Sequence, residues 1–416
     1  MPQSLSHAIC HLDADCFYAS VEIIYAPEKS GKPFAVISHV GGIVLSSSYE
    51  ARKFGVKVGT PTWEAEEKCK GITFEPANFP RYVKHSLQMM EMLRSFTPDV
   101  EEYSIDEAFF DLTSVQKYFK QTYEEIARTI QNKIWNELHL PVSIGVSINK
   151  TLAKLASDFH KPKGITIVYE ESREEFLTKI KLDDIAGIGY HNTQRLLGNG
   201  ITTVKQFVEE PTSRIKKILG VNGERLQMEL RGVQTLSLET QKKKPKSISR
   251  SRTFSQLTKD FDFLLAELMI HLQEVIMRLR SHRLSAKHLS IFIRKQEEYR
   301  YASTTISLQN YTDDTIVFAS QLEPMLQSIY EPKTLYRASG IAIAEFVDSR
   351  SVTENIFSSK KELKRLNLGA AIDTINKKFG KRSLIVGSSV LLHKQEEGRV
   401  EQNEEQISYR GRFISL

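Results

Sequence analysis

The sequence predicts an α+β protein of several domains, and three observations carry that prediction. The chain has 416 residues, beyond the size at which one hydrophobic core keeps growing. Its first ~170 residues alternate short apolar strand patterns with helical spacing of apolar residues. After residue 250 the order becomes β-α-β-β-α-β, that of a split ferredoxin-like unit. Composition agrees: 40% hydrophobic, 26% charged and 9% aromatic residues exclude wholesale disorder.

Taken in order, HAICHLDADCF (7–17) starts as an apolar strand and runs into two acids, with a helix start at ASVEIIY. A turn at EKSGKP leads to a strand AVIS. In GGIVLSSSYEARKFGVKVGT a small-residue strand feeds a short basic helix. Residues 81–96 have helical spacing and stop before Thr97-Pro98, since the residue preceding proline is pushed out of the helical region. YSIDEAFFDL (103–112) has strand character on both sides of Asp106-Glu107. Residues 122–138 read as helix, PVSIGVSI as a buried strand, and NKTLAKLASDFHKPKG as a helix ending in a basic loop. Residues 175–232 are helical. There a Gly-x-Gly turn in IAGIGYHNTQRLLGNG either caps a helix or lets backbone N–H groups approach a phosphate. QKKKPKSISRSRTF (241–254) is purely basic and reads as an exposed linker. The segment beyond 347 carries a short amphipathic pattern at GAAIDTINKKFG and then a polar, charged stretch.

Charge and cysteines narrow the setting. A net charge of +6 favours an anionic partner such as nucleic acid. No apolar run approaches the ~20 residues of a membrane span, and the N-terminus shows no signal-peptide pattern. Cys10, Cys16 and Cys69 form no CxxC pair and suit a reducing cytoplasm.

The acids carry the chemistry. Asp13 and Asp15 lie two apart and share a strand face. Asp106 and Glu107 point to opposite faces of a regular strand, so both reach one site only where the chain turns. Two readings fit either segment alone: exposed turn acids, or halves of a hard-oxygen site for Mg²⁺, where two ions support phosphoryl transfer. Tyr49 and Arg52 lie one helical turn apart after a hydroxyl-rich strand, and Lys161 and Lys163 flank a proline. Such cations neutralise a triphosphate. NKTLAKLA lacks the glycines of a Walker loop, no dinucleotide fingerprint appears, and His39, His85 and His160 have no metal-ligand spacing.

Five segments together, HLDADCFYASVE, SSSYEARKFGV, YSIDEAFFDLT, GVSINKTLAKLASDFHKPKG and the IAGIG hairpin, resemble the Y-family translesion DNA polymerases, nearest the bacterial DNA polymerase IV and UmuC-like branches. The resemblance covers about residues 7–346. It implies a right-hand polymerase with a palm at 1–20 and 80–170, fingers at 21–79, a helix-hairpin-helix thumb at 171–240, a linker at 241–253, a little finger at 254–346 and a tail at 347–416. It also implies two Mg²⁺ ions bridged by Asp13 and Asp106, with Glu107 and the Ala14 carbonyl completing the ligands. Asp15 matches a family acid that is not a direct ligand. Ser46, Tyr49, Arg52 and Lys161 fall at the incoming triphosphate, Tyr18 at the steric gate beneath the sugar, and Phe17 packs beside it. Gly187 and Gly189 of the hairpin approach DNA phosphates, and the basic run Lys242, Lys243, Lys244, Lys246, Arg250 and Arg252 is placed to follow a phosphate backbone.

The implied activity is low-fidelity nucleotide addition to a primer, by a monomer acting on primer-template DNA and deoxynucleoside triphosphates. Clamp docking is a family expectation: TENIF (353–357) keeps Ile356 and Phe357 but has Thr353 where the family motif has glutamine. Three alternatives stay open: an inactive DNA-binding scaffold, a UmuC-like subunit dependent on accessory proteins, and a nucleotide cyclase with a palm-like site.

Overall fold

The computed structural model describes residues 5–38, 42–241, 243–297, 300–351, 360–379 and 384, and the chain divides into two compact units, 1–242 and 243–416.

In the first unit the chain opens with β1 (Ile9–Ala14) and α1 (Phe17–Tyr25), then β2 (Phe34–Ile37), β3 (Val44–Ser47), α2 (Tyr49–Arg52), α3 (Thr62–Lys68) and β4 (Thr73–Pro76). It continues through α4 (Phe79–Arg94), β5 (Val100–Glu102), β6 (Glu107–Asp111), α5 (Val115–Phe119), α6 (Tyr123–Leu138), β7 (Val142–Ser147), α7 (Lys150–Phe159) and β8 (Ile165–Ile167). Helices α8 (Arg173–Thr178), α9 (Tyr190–Gly198), α10 (Val204–Glu209) and α11 (Thr212–Leu230) complete it.

Two sheets organise this unit. The larger has the order β5-β6-β1-β7-β8, and β1 at its centre runs antiparallel to both β6 and β7. The smaller, β3-β2-β4, closes with α2 and α3 over Ala35, Val44, Ala51, Val56, Ala65, Cys69 and Ile72. It is built from the residues between α1 and α4.

Alternation along β1 decides where the acids lie. Ile9 packs with Phe109 of β6 and Ala153 of α7, and His11 hydrogen-bonds Ser157 of α7 at 2.7 Å. Residues 9, 11 and 13 therefore share the face covered by α7. That helix lies close because β7 offers Gly145, where a Cβ would fall 2.1 Å from the Ala153 carbonyl oxygen and 2.3 Å from the Ser157 nitrogen. Neither contact can relax without moving the α7 backbone. Gly145→Ala is expected to cost about 3 kcal/mol or more, read as a lowered unfolding midpoint. An unchanged midpoint would show that α7 rides up freely.

The second unit is β9 (Ser247–Thr258), α12 (Phe261–Ser281), β10 (Leu284–Lys295), β11 (Tyr301–Thr312), α13 (Thr315–Ile329), β12 (Tyr336–Asp348) and α14 (Lys360–Phe379). Its sheet has the order β11-β10-β12-β9 with every pair antiparallel. Helices α12 and α13 supply the core, with Leu268, Leu272, Val275, Phe318 and Leu322 against Leu289, Ile291, Ile341 and Ile343. This is the β-α-β-β-α-β order read from the sequence. The strand begins at Ser247, however, inside the segment expected to be a linker to 253. Ile248 and Phe254 are its buried apolar positions, and arginines at 250 and 252 between them made a strand period look like a charge run. Near the chain end, Asp373 of α14 accepts from both Nε (2.6 Å) and Nη2 (2.8 Å) of Arg280 on α12. Among the described residues no helix is long and apolar enough to cross a membrane.

Candidate active site

Asp13 and Glu107 face each other across the β1–β6 pairing. The two acidic segments, about 90 residues apart in sequence, thus meet in the sheet. The turn before β6 is tight: the backbone N–H groups of Tyr103 and Ser104 both donate to the Glu107 carbonyl at 3.1 Å. Ser104 Oγ donates to Asp106 Oδ1 at 2.6 Å, and the Ala14 N–H donates to the Asp106 carbonyl at 2.9 Å. Asp106 is therefore fixed beside the end of β1, where Ala14 is the last strand residue. Strand pairing and turn together bring the three acids to the same end of β1.

The electrostatics are those of half-buried carboxylates set near one another and near lysines. Burial pushes Asp13 well above its ordinary value; Lys161 opposes this, and Asp106 and Glu107 reinforce it. Asp106 is raised by burial, with Glu107 adding to it and the Ser104 hydrogen bond opposing it. Glu107 goes the other way: burial raises it, but the charge and hydrogen bond of Lys154 outweigh that and hold it low. Lys161 Nζ lies 2.7 Å from both Asp13 Oδ2 and Asp158 Oδ1, and Lys154 ion-pairs with Glu107. Burial pushes His11, 3.8 Å from Glu107, well below its usual value, and nearby lysines act in the same direction.

With Asp13 and Glu107 each turned to a lysine, no three His, Cys, Asp or Glu side chains among the described residues converge at metal-ligand spacing. The donor set nonetheless fits a hard divalent cation: half-buried carboxylate oxygens, of which those of Asp13 and Asp106 carry a charge disfavoured by burial and by neighbouring acids.

Beside the acids, Cys16 takes the left-handed conformation (φ 47°) that turns the chain from β1 into α1. Phe17 is buried, and Tyr18 stacks on Tyr82 of α4 with ring centroids 4.4 Å apart and planes 16° apart. Ser46 Oγ accepts from the Ala19 N–H at 3.4 Å and so joins β3 to α1. Tyr49 opens α2 behind the N-cap Ser48, its hydroxyl 3.3 Å from Asp15, with the exposed Arg52 guanidinium 5.2 Å from its ring.

Other expected residues lie elsewhere. Gly187 has φ +96° in the turn before α9, which L-residues rarely adopt, and Gly189 is the N-cap of α9. Lys243, Lys244 and Lys246 are exposed, and Lys244 reaches Asp348 at 3.0 Å; Lys242 lies outside the described residues. Arg250 corrects an expectation. It is 5% exposed, on the helix-facing side of β9, paired with Glu274 of α12, and so unavailable to a phosphate backbone. Arg252, half-buried, pairs with Glu267 at 2.9 Å. Ile356 and Phe357 fall outside the described residues.

Sequence reasoning missed four residues here. Lys154 lies one helical turn after Lys150 but carries no motif that separates it from a surface lysine. Tyr82 and Glu22 form a buried pair, with the Tyr82 hydroxyl donating to Glu22 Oε1 at 2.7 Å and Arg81 donating to Oε2 at 2.9 Å. Ser143 hides in an apolar strand. Only the polar residue at a buried strand position hinted at it.

The comparisons concern the chain as a whole. A family model described as the impB/mucB/samB family matches residues 12–158, and its C-terminal domain matches 245–356. DNA polymerase IV 1 of Bacillus subtilis is 32% identical over 400 residues, covering 95% of each chain. DNA polymerase IV of Bacillus anthracis is 33% identical over 395 residues, covering 93% of this chain and 94% of its own. Among solved structures, a Y-family DNA polymerase chimera of Dbh and Dpo4 superposes with TM-score 0.69 at 26% identity, covering 82% of this chain and 99% of that one. An insertion ternary complex of Dbh DNA polymerase shares the fold with TM-score 0.55.

Proposed function

Since the chain belongs to the Y-family DNA polymerases, the impB/mucB/samB family, we propose that it adds deoxynucleotides to a primer 3′ end at the Asp13, Asp106 and Glu107 cluster. It is a DNA-directed DNA polymerase of the translesion kind, acting on primer-template DNA and deoxynucleoside triphosphates with a divalent metal. The observation that carries the site assignment is the β1–β6 register, which sets Asp13 opposite Glu107 with Asp106 in the adjoining turn.

We assign the metal as Mg²⁺, two ions, which Asp13, Asp106, Glu107 and the Ala14 carbonyl would hold. When bound, the ions lower the pKa of the primer hydroxyl and neutralise charge on the attacking and leaving oxygens. The chain's own groups do the rest. Lys161, on a flexible stem between Asp13 and Asp158, hands its charge to the triphosphate. Tyr49 and Arg52 grip the phosphates from α2, with Ser46 holding the smaller sheet to α1. Phe17 and Tyr18 form the floor beneath the sugar, where a 2′-hydroxyl meets the Tyr18 ring.

In domain terms, the large sheet is the palm, the small sheet the fingers, and the helices from α8 to α11 the thumb. The hairpin of Gly187 and Gly189 meets DNA phosphates there. The second unit is the little finger, reached through the exposed lysines 243, 244 and 246. The protein works as a monomer, and docking to a sliding clamp belongs to the segment around Ile356 and Phe357.

Primer extension by the purified chain on undamaged template and across a defined lesion tests this reading. Extension on both, dependent on added Mg²⁺, is the expected result. DNA binding without extension would favour the scaffold alternative, and extension only with accessory proteins the UmuC-like one.

A further inference from the structure

Asp15 is fully buried, yet none of the groups paired with it is a cation's head group. Its two carboxylate oxygens accept from Ser143 Oγ at 2.9 and 3.1 Å, from the Lys163 backbone N–H at 2.8 Å and from the Tyr49 hydroxyl at 3.3 Å. Ser143 Oγ also accepts from the Gly164 N–H at 3.3 Å, so one small network holds the whole 163–164 turn. Three separate elements end on this one side chain: α2 through Tyr49, β7 through Ser143, and the loop after α7 that carries Lys161. Asp15's own backbone is anchored by its N–H to the Pro141 carbonyl at 2.9 Å.

We infer that Asp15 is a positioning residue for the triphosphate, setting Tyr49 and Lys161 in register with each other across the two sheets. The inference rests on the reading of Tyr49 and Lys161 as triphosphate contacts and goes beyond it by naming what aligns them. A buried carboxylate whose acceptor sites are filled by hydroxyls and backbone N–H groups has little left to offer a metal. It is well suited to fixing directions, because charge-assisted bonds are short and strong. The substitutions discriminate. Asparagine at 15 keeps one acceptor oxygen, which the Lys163 N–H demands because a backbone N–H cannot accept. The amide NH₂ then faces Tyr49 and reverses that bond. Alanine loses all three connections, to Tyr49, Ser143 and the Lys163 N–H.

Single-nucleotide insertion kinetics test this, with a deoxynucleoside triphosphate and Mg²⁺ as the varied ligands. Asp15→Ala is expected to raise KM for the nucleotide by about tenfold or more, with kcat within a few-fold and the Mg²⁺ dependence unmoved. Asp15→Asn shows a smaller rise in the same direction, and provides the test where the alanine variant does not fold. In the double variant with Tyr49→Phe the two rises are less than additive. A collapse of kcat with a shifted Mg²⁺ requirement would make Asp15 a metal ligand and overturn the inference. A lowered unfolding midpoint with unchanged KM in both variants would overturn it too, by making the residue merely structural. If Tyr49→Phe alone leaves KM unchanged while the wild type extends primers, the assignment of Tyr49 fails and the inference with it.

Discussion

Asp106→Asn is expected to lower primer extension by about 10³-fold or more while leaving the protein folded and able to bind primer-template DNA. The asparagine is isosteric. Its side-chain oxygen still accepts from Ser104, and the backbone carbonyl at 106 still accepts from the Ala14 N–H. What disappears is one negative charge from a buried group of three. Burial and neighbouring Glu107 both disfavour that charge in the metal-free protein. The same substitution therefore relieves repulsion, and without metal the variant is expected to be at least as heat-stable as the parent. Activity and stability moving in opposite directions is the signature of a group kept for chemistry rather than for the fold. Thermal melts and extension assays on one preparation decide it. A variant that keeps extending primers refutes the metal assignment. One that loses activity only because it melts early refutes the electrostatic argument.

The second large effect is on sugar choice. Tyr18→Ala is expected to raise the relative efficiency of ribonucleotide insertion by about 10²-fold, measured as the ratio of kcat/KM for ribo- and deoxynucleotide. The ring is braced on several sides: stacked on Tyr82, edge-on to Phe79 at 5.7 Å, and 5.7 Å from Phe17. Tyr82 in turn is tied through its hydroxyl to Glu22, which is 1% exposed. If Tyr18 is the gate, a ring held this firmly would not swing aside for a 2′-hydroxyl, and exclusion would rest on shape. Tyr18→Phe keeps the ring and is expected to keep the discrimination. An unchanged ratio in the alanine variant would remove Tyr18 from the gate.

How much of this could be read from residues alone follows from what kind of signal each residue leaves. Period and punctuation are local, so the strand before Asp13, the helices at 123–138 and 150–159 and the β-α-β-β-α-β unit were all legible. The meeting of Asp13 with Asp106 and Glu107 was not legible in the residues themselves, which left exposed turn acids as an equal reading; it was an expectation carried by the resemblance to the Y-family polymerases. Arg250 misled because charge was taken as exposure. Its neutralising partner, Glu274, lies 24 residues further on, in α12, and nothing in the strand's own sequence announces it. Asp15 was visible as an acid but not as a hub. Its donors come from positions 49, 143 and 163, two of them ordinary hydroxyls and one a backbone group, which sequence cannot distinguish from their neighbours. Tyr82 and Glu22 stayed hidden for the same reason, because each reads as part of an amphipathic helix until the two helices are packed together.

The central claim is that Asp13, Asp106 and Glu107 form one two-metal site. A crystal structure of the protein with primer-template DNA, an incoming nucleotide and Mn²⁺ in place of Mg²⁺ tests it most directly, through the anomalous signal of the bound ions. Two peaks are predicted, both within bonding distance of Asp13 and Asp106, one of them also on Glu107, with Lys161 moved from Asp13 to the triphosphate. Peaks bound elsewhere, or Lys161 and Lys154 still paired with the acids around a bound nucleotide, would contradict it.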